Sequence, residues 1–299
     1  MWNVAIIGCG LISFGKNIYD KEYGFNHFDT LSMHPSFEVT CVSDNKNKIL
    51  SKLDKYKKIK KYKFYKNLLR FNKIDLVVIA TNSENHLNII NEIVKKNVKV
   101  ALIEKPISNK IEELNELVRL KSRSKTKIVV NYQRQFSKFF NKYKNIINKE
   151  SVKKIKVNYS RGLFNNGSHF IDLFIWYFGL PQKIIKKNKV KKIKNDFIFN
   201  FIFDYISFKI EFNGNNKKIY GNNFLIILKD KSILYEKNII KIYKKNFKND
   251  KNLLTKKIND SDNILEVYNY LNLLLNQKVS LKSSINDSIK IHKVVRTLL

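Results

Sequence analysis

The sequence contains very little cysteine and no long apolar run. Its 299 residues include only Cys9 and Cys41, which excludes a disulfide framework and a site with four cysteine ligands. We therefore predict no metal site and a reducing compartment. No run of about 18 apolar residues occurs, and the first residues lack the basic and apolar segments of a signal peptide. We expect a cytoplasmic protein without a membrane partner.

Arginine is scarce although the chain is strongly basic. The formal net charge is +33, yet only six of the 58 basic residues are arginine. Proteins that read phosphates and bases rely on the planar arginine side chain. Lysine, asparagine and isoleucine are enriched together along the whole chain, which indicates a compositional bias. We therefore predict no specific nucleic-acid partner, and an attraction for anionic small molecules. The alternative, a basic nucleic-acid-binding protein, requires specific binding that survives moderate salt.

Short apolar segments alternate with helical patterns up to about residue 130. This alternation is typical of βαβ units whose parallel sheet is covered on both faces. The length fits two domains, and we expect residues 1–130 to form an α/β domain with a right-handed, doubly wound Rossmann sheet. The predicted strands are 4–7, 39–42, 76–80, 98–103 and 127–130, and two predicted helices are 84–95 and 111–121.

The pattern changes in the second half of the chain. Short β-branched and aromatic segments dominate, and Asn213-Gly214 and Gly221-Asn222 punctuate them as hairpin turns would. We expect residues 131–299 to form an α+β domain with a mostly antiparallel, open sheet. The predicted strands are 152–159, 197–203, 205–212, 217–220, 223–229, 232–236 and 239–243, and the predicted helices are 168–178, 262–276 and 284–298.

A glycine turn follows the first predicted strand. Gly8 permits a tight turn, Gly10 lets the backbone approach a pyrophosphate, and the small Ser13 allows close contact between helix and strand. The helix after the turn would direct its amide dipoles at the phosphates, and Leu11 and Ile12 are further candidate cofactor contacts. The turn therefore predicts a dinucleotide site, and the alternative is an ordinary glycine turn.

Asp44 ends the second apolar run. A carboxylate at this position can accept hydrogen bonds from the adenosine ribose hydroxyls, which favours NAD as the cofactor. Lys46 and Lys48 lie close in sequence and could tolerate a 2′-phosphate, so NADP stays open. The alternative is that Asp44 and Asn45 cap the following helix.

Two further segments predict catalytic residues. Glu104-Lys105-Pro106 directly follows a predicted strand, where ligands meet a parallel sheet, and Lys105 could hydrogen-bond a substrate hydroxyl and tune its proton loss. Further along, Gly167 or Ser168 would cap a helix on which His169 and Asp172 share one face. His169 would act as acid or base with Asp172 orienting it. The alternative is a buried structural histidine bonded to Asp172.

Taken in order, these motifs resemble the Gfo/Idh/MocA oxidoreductase family. The resemblance implies a Rossmann domain, then an α/β domain whose open sheet often forms the contact of a homodimer or homotetramer. It implies hydride transfer between NAD(P) and a sugar, sugar derivative or cyclitol, with Lys105 and His169 at the substrate. Other implied cofactor contacts are Thr81, Asn82, His86, Glu104 and Lys105, and other implied substrate contacts are Arg134 and Asn165. The resemblance also includes Asn26-His27-Phe28, His34 to Glu38, Asn131, and Ser284, Asp287, Ile291, His292 and Val295.

One position departs from the pattern of that family. Many of its dehydrogenases carry an aspartate four residues before the histidine, where this chain has Asn165. An amide orients a hydroxyl but cannot take its proton, so more weight falls on Lys105 and His169. The Asn-Asn-Gly-Ser-His form is similar to members associated with surface-polysaccharide sugar synthesis, which favours nucleotide-sugar or related substrates. The alternative hypothesis is a non-catalytic dinucleotide-binding sensor of the same fold.

Overall fold

A computed structural model describes residues 1–15, 26–108, 110–193, 196–215, 222–244, 252–257 and 260–299. The chain divides into two compact units, and each unit combines two segments of the chain. The first unit comprises Met1–Phe136 and Asp260–Ser288, and the second comprises Ser137–Asn259 and Ile289–Leu299. The division predicted at residue 130 treats the domains as consecutive segments, whereas the chain returns to the first unit after the second sheet.

The first unit is built on a six-stranded sheet. Its strands are β1 (Trp2–Ile7), β2 (Phe37–Ser43), β3 (Lys60–Tyr62), β4 (Leu76–Ile79), β5 (Val100–Ile103) and β6 (Lys127–Val130). They lie in the order β3-β2-β1-β4-β5-β6, and every neighbouring pair is parallel. The strand order reverses at β1, as in a doubly wound fold. The predicted Rossmann sheet is therefore confirmed, and the structure adds the short edge strand β3.

Helices cover this sheet, which explains its continuously apolar strands. All residues of β4 and β5 are buried, as expected where both faces of a parallel sheet are covered. The helix α9, near the end of the chain, contributes Val267, Tyr268 and Leu271 to the same core. The helices of this unit are α1 (Leu11–Phe14), α2 (His27–Met33), α3 (Asn47–Ser51), α4 (Tyr65–Phe71), α5 (His86–Lys95), α6 (Ile111–Ser122) and α9 (Asp260–Leu275).

The second unit contains a predominantly antiparallel sheet. Its strands are β7 (Val152–Tyr159), β8 (Lys183–Lys186), β9 (Lys191–Ile193), β10 (Asp196–Ile198), β11 (Phe201–Asp204), β12 (Lys209–Gly214), β13 (Asn223–Leu228), β14 (Lys231–Glu236), β15 (Ile239–Lys244) and β16 (Asn252–Lys257). Eight of them lie in the order β16-β15-β14-β13-β7-β12-β11-β8, and β9 pairs with β10. Among the described strands of this unit, only β7 and β12 are parallel neighbours. The mostly antiparallel sheet is thus confirmed.

Two predicted features of this sheet were wrong, each for a tertiary reason. Asn213 and Gly214 continue β12 instead of forming a hairpin turn. A Cβ at Gly214 would lie 2.7 Å from the Phe199 carbonyl oxygen and 2.8 Å from the Tyr159 ring, so glycine serves close packing there. The predicted strand 197–203 is divided, because β10 pairs with β9 while β11 joins the large sheet. The predicted strand 217–220 and Gly221 lie outside the described residues.

Aromatic side chains join the large sheet to a helix. The remaining helices are α7 (Lys138–Ile146), α8 (Ser168–Phe178) and α10 (Ile285–Leu298), and α8 matches its predicted range. Phe174 on α8 packs edge-on against Phe212 and Phe224, with ring centroids 6.4 and 5.6 Å apart. This packing fixes the helix that carries His169 and Asp172. Within the part of the chain that is described, no helix is long and apolar enough to cross a membrane.

Candidate functional site

The two glycines of the first turn differ in what surrounds them. Gly8 has a φ of +92°, and a Cβ there would lie 2.6 Å from the Ala80 carbonyl oxygen and 2.9 Å from Cγ2 of Thr81. Gly8 is therefore required by the fold itself. At Gly10 a Cβ would meet nothing within 4 Å among the described residues. Gly10 thus borders open space at the carboxyl end of β1, where a ligand backbone could approach.

A buried serine holds this turn together. Ser13 is fully buried, and its hydroxyl donates a hydrogen bond of 2.6 Å to the Gly8 carbonyl oxygen. The predicted small residue at this position therefore also bonds to the turn. Leu11 and Ile12 are half-buried in α1, which is described over four residues.

Asp44 connects the ends of β1 and β2. Its Oδ2 accepts a hydrogen bond of 2.9 Å from the Cys9 amide, and its Oδ1 accepts one of 2.9 Å from the Lys46 amide. The alternative prediction that Asp44 and Asn45 cap the next helix is wrong, because Lys46 is the N-cap of α3. A carboxylate has about four acceptor positions, so Asp44 can accept further bonds from ribose hydroxyls. The side chain of Lys46 is exposed beside it.

His86 links the loops that follow β4 and β5. It is buried, with Nε2 3.1 Å from the Thr81 carbonyl oxygen and Nδ1 3.1 Å from the Ile107 carbonyl oxygen. Burial lowers the pKa of His86, and the two carbonyl oxygens partly oppose this effect. Thr81 is half-buried and Asn82 is exposed at the same loop. His86 therefore holds two loops of the site in place, and its direct contact with a cofactor stays a prediction.

Glu104 and Lys105 follow β5 at the same sheet edge. The Glu104 amide donates to the Ile79 carbonyl oxygen, which ties the residue to the end of β4. Lys105 is half-buried and joined to Pro106 by a cis peptide bond. The carboxyl ends of β2, β1, β4 and β5 thus present Asp44, the glycine turn, Thr81 and Glu104-Lys105 in that order. The edge from β2 to β5 spans about 14 Å, three strand spacings.

A chain of hydrogen bonds leads from α9 to Glu104. The hydroxyl of Tyr268 lies 2.7 Å from Nδ1 of His27, and Nε2 of His27 lies 3.1 Å from Oε1 of Glu104. Nδ2 of Asn131 donates to the same carboxylate oxygen at 2.5 Å. Tyr268 and His27 are fully buried, and Asn131 is 1% exposed. All four residues belong to the first unit.

Hydrogen bonds keep Glu104 ionised in this setting. Burial alone would raise the pKa of its carboxyl group. The hydrogen bond and the charge interaction with His27, the hydrogen bond from Asn131 and the positive charge of Lys105 together outweigh burial, so the pKa lies below its usual value of 4.5. Burial also raises the pKa of Tyr268 well above 10, so its hydroxyl keeps its proton. Glu104 is thus an anion held by the donors around it.

Hydrogen bonds to Asp196 hold the backbone of the segment that precedes His169. Residues Leu163–Gly167 form a π-helical turn that runs directly into α8. The Asp196 carboxylate accepts hydrogen bonds from the amides of Phe164 and Asn165 at 3.0 and 2.9 Å. The prediction that Gly167 or Ser168 caps the helix is confirmed for Gly167, which is the N-cap of α8, whereas the Ser168 hydroxyl donates to the Phe164 carbonyl oxygen at 2.7 Å. A carboxylate from a distant strand therefore satisfies the turn, and π-helical turns are frequent at functional sites.

The remaining predicted residues have contrasting environments. In the second unit, Asn165 is exposed, His169 is half-buried and Asp172 is buried. Arg134 lies half-buried in the first unit, in a 3₁₀ turn after β6. The roles predicted for these four side chains stay predictions. No three His, Cys, Asp or Glu residues of the described chain gather as metal ligands would.

Sequence reasoning missed the roles of Tyr268, His27 and Asp196. His27 belongs to the Asn26-His27-Phe28 motif, and the small number of histidines in the sequence was the signal that could have drawn attention to it. Tyr268 is 241 residues from His27, and Asp196 is 31 residues from Asn165. Neither pairing follows from a local pattern.

The fold and the glycine turn together define a dinucleotide-binding Rossmann domain. Residues 2–132 match a family model, GFO_IDH_MocA, described as an oxidoreductase family with an NAD-binding Rossmann fold. This part of the chain is therefore similar to the NAD-binding domain of the Gfo/Idh/MocA oxidoreductases, as the resemblance implied. No curated protein matches the chain.

Solved structures share the fold along the whole chain. The Bacillus subtilis protein yvaA is 17% identical with a TM-score of 0.80, covering 100% of this chain and 96% of its own. An Agrobacterium radiobacter oxidoreductase, solved in complex with NAD+, L-tartaric acid and magnesium, is 14% identical with a TM-score of 0.76, covering 99% and 94%. A Desulfitobacterium hafniense protein described as an NADPH-dependent oxidoreductase is 13% identical with a TM-score of 0.78, covering 99% and 94%. At these identities the likeness establishes the fold alone.

Proposed function

We propose that this oxidoreductase transfers a hydride between NAD(P) and a carbon that bears a hydroxyl or keto group in a sugar, nucleotide sugar or cyclitol. The order of groups along the sheet edge carries the proposal. Asp44 follows β2, the glycine turn follows β1, and Lys105 follows β5. A dinucleotide placed with its phosphates at the glycine turn would have its adenosine at β2 and its nicotinamide towards β4 and β5. Lys105 then belongs to the reacting half.

The residues of the first unit fit such a cofactor. Among the described residues, Gly10 borders open space that a Cβ would enter, and Asp44 keeps acceptor positions for ribose hydroxyls. The bound nicotinamide would supply or accept the hydride. We propose NAD as the preferred cofactor because of Asp44, although Lys46 and Lys48 are exposed nearby and could contact a 2′-phosphate. Both cofactors therefore belong in the binding assay.

Two observations support a polyhydroxylated, anionic substrate class. The Agrobacterium radiobacter oxidoreductase was solved with L-tartaric acid, a compound with neighbouring hydroxyl and carboxyl groups. The net charge of +33 would also raise the local concentration of anions such as nucleotide sugars. We propose that Lys105 donates a hydrogen bond to the reacting oxygen and assists its proton transfer. A role in surface-polysaccharide synthesis is part of the proposal and rests on the resemblance around Asn165.

Lysine variants at the two ends of β5 test the catalytic assignment. Lys105 lies after the carboxyl end of β5, whereas Lys99 lies before its amino end and pairs with Asp75 at 2.8 Å. Lys105→Ala should lower kcat by at least about 100-fold with little change in NADH affinity, and Lys99→Ala should retain normal turnover. Normal turnover in Lys105→Ala would contradict the role of Lys105. The substrate panel should contain hexoses, cyclitols, tartrate and nucleotide sugars.

Asn165 motivates the second candidate function, a dinucleotide-binding sensor. An amide at this position cannot accept a proton from a substrate hydroxyl. A chain that binds NADH but reduces no compound of the panel would support the sensor. Reduction of any panel compound would exclude it. Native mass spectrometry of the purified protein would identify a retained cofactor directly.

We also propose a homodimer or homotetramer formed through one face of the large sheet. Leu225 and Leu234 are cross-strand neighbours on that face, and Ile227 lies two residues further along β13. All three are half-buried, whereas the alternate positions of β13 are buried. The substitution Leu225→Glu should shift the mass in native mass spectrometry to that of the monomer. We propose no specific nucleic-acid or membrane partner, and sequence-specific DNA or RNA binding near physiological salt would contradict this.

A further inference from the structure

The protons in the chain from Tyr268 to Glu104 have one consistent arrangement. The hydroxyl of Tyr268 is fully buried, and His27 Nδ1 is its hydrogen-bond partner in the described chain. A buried hydroxyl hydrogen needs an acceptor, so Tyr268 donates to Nδ1. With Nδ1 as the acceptor, the ring carries a hydrogen on Nε2 and donates it to Glu104. Asn131 Nδ2 can only donate, so two N–H groups converge on Oε1 of one carboxylate.

This arrangement leaves the other oxygen of Glu104 for a ligand. Both bonds go to Oε1, and Oε2 takes part in neither. The Glu104 side chain is 14% exposed, so solvent or a ligand can reach it, while His27 is completely covered. Two donors from different elements, α2 and the segment after β6, fix the orientation of the carboxylate. An acceptor oriented in advance loses little entropy when a ligand hydroxyl or amide binds.

The position of Glu104 indicates which part of the ligand it meets. In the strand order, β5 lies two places from β1, on the side opposite to β2 and Asp44. The adenosine half belongs to the side of β2, so the nicotinamide half belongs to the side of β4 and β5. The hydroxyls of the nicotinamide ribose and the carboxamide N–H groups are the donors that an anionic acceptor would bind there.

We propose that His27 and Tyr268 are positioning residues that act through Glu104 on the nicotinamide half of the bound dinucleotide. The inference rests on the proposed function only in requiring that NAD(P) binds. The competing interpretation is a polar cluster that merely stabilises α2 and α9. Such a cluster is a poor device for stability, since apolar side chains of similar volume often stabilise a core equally well. The hydrogen bonds of this cluster also lead to Glu104, which lies at the sheet edge where the ligand would bind.

A neighbouring tyrosine provides a matched control. Tyr270 lies on the same helix, donates to the Ser280 carbonyl oxygen at 2.8 Å and accepts from the Lys282 amide at 2.7 Å. Tyr270→Phe therefore loses at least as many hydrogen bonds as Tyr268→Phe, but it does not touch the path to Glu104. Each substitution should lower Tm by about 2–4 °C. If the role of Tyr268 is purely structural, the two substitutions should also have equal effects on ligand binding.

The ligands NADH and ADP separate the two halves of the dinucleotide, because ADP lacks both the nicotinamide and its ribose. Dissociation constants would be measured by calorimetry with the full-length protein. Tyr268→Phe should weaken NADH binding about fivefold, and His27→Leu about 10- to 100-fold, as expected for a neutral and a charge-assisted hydrogen bond. His27→Gln keeps an N–H donor and should restore most of the affinity. ADP affinity should stay within about twofold throughout.

Three results would overturn the inference. These are equal losses for NADH and ADP, a loss in Tyr270→Phe as large as in Tyr268→Phe, and unchanged NADH affinity in both His27 variants. If His27→Leu does not fold, the NADH affinities of Tyr268→Phe and His27→Gln test the inference in its place. If the unaltered chain binds neither ligand, the inference and the proposed function both fail. If it binds NADH without oxidising or reducing any panel compound, the proposed function alone fails.

Discussion

Alanine substitutions at Gly8 and Gly10 should have opposite consequences, although the two glycines belong to one motif. Gly8 has a φ of +92°, and an added Cβ would lie 2.6 Å from the carbonyl oxygen of Ala80. Gly10 has a φ of −75° as the N-cap of α1, and the described residues leave open space around its Cβ position. Gly8→Ala should therefore destabilise the fold. Gly10→Ala should leave the fold intact and weaken cofactor binding.

The magnitudes follow from the geometry. A non-glycine residue in the conformation of Gly8 costs about 1–3 kcal/mol, and forcing a methyl group against the backbone of Ala80 costs about 1–3 kcal/mol more. The total of about 2–6 kcal/mol is a large part of the usual free energy of unfolding, about 5–15 kcal/mol. At Gly10, alanine reduces the conformational freedom of the unfolded chain alone, so it should stabilise the folded protein by about 0.4–1 kcal/mol. Its methyl group would occupy the space that a pyrophosphate needs, so NADH affinity should fall at least about tenfold.

Tryptophan fluorescence can report on the first unit by itself. The chain has two tryptophans, Trp2 on β1 and Trp176 on α8. In a Trp176→Phe background, urea unfolding followed at Trp2 gives the free energy for each glycine variant, and calorimetry gives the NADH dissociation constant. A Gly8→Ala protein as stable as its parent would refute the strain argument. Undiminished NADH binding by Gly10→Ala would refute the assignment of the phosphate turn.

Three further outcomes are expected. Gly162→Ala should destabilise the second unit by about 2–6 kcal/mol, because the φ of Gly162 is +103° and a Cβ would overlap the Asp196 carboxylate. Gly179 has a φ of +78° but open space around its Cβ position among the described residues, so Gly179→Ala should cost only about 1–3 kcal/mol. Equal urea midpoints for the two variants would contradict this difference. The lowered pKa of Glu104 means that its ionisation stabilises the fold above pH 4.5 and that this contribution is lost as the pH falls through the lowered pKa. The difference in unfolding free energy between the parent and Glu104→Gln should therefore shrink from pH 7 to pH 3, and a constant difference would count against it. Burial raises the pKa of the Cys41 thiol to about 11, so a thiol reagent at pH 8 should label it only after urea unfolding, and rapid labelling of the folded protein would oppose this.

Features that depend on residues adjacent in sequence could be predicted. The strands of the first sheet have short apolar sequences that only a fully covered parallel sheet uses, and the glycine turn has its pattern within six residues. Helix α8 matched its predicted range because its aromatic face and the glycines around it are local signals. The family resemblance rests on the same local motifs. These parts agree with the structure because little else is needed to specify them.

Features that depend on packing could not be predicted. Asn213-Gly214 has the sequence of a hairpin turn, but the Tyr159 ring needs the space of a Cβ at Gly214. Of the two residues expected to cap α8, Gly167 is the N-cap, but the Ser168 hydroxyl bonds back to Phe164, and the carboxylate of the distant Asp196 accepts the amide hydrogen bonds of the turn. In each case a contact from a distant segment replaced the interaction that local chemistry favours.

The sequence by itself determined the first strand, predicted at residues 4–7, and the dinucleotide-binding turn after it, because the apolar run and its glycines are encoded side by side. Only the tertiary structure decided how the carboxylate after β5 is held. His27, Asn131 and Tyr268 come from three separate segments, and their hydrogen bonds meet at Glu104 only when α2, β6 and α9 pack around it. A hydrogen bond needs its donor and acceptor within about 3 Å, and no spacing along the chain specifies that distance between residues so far apart.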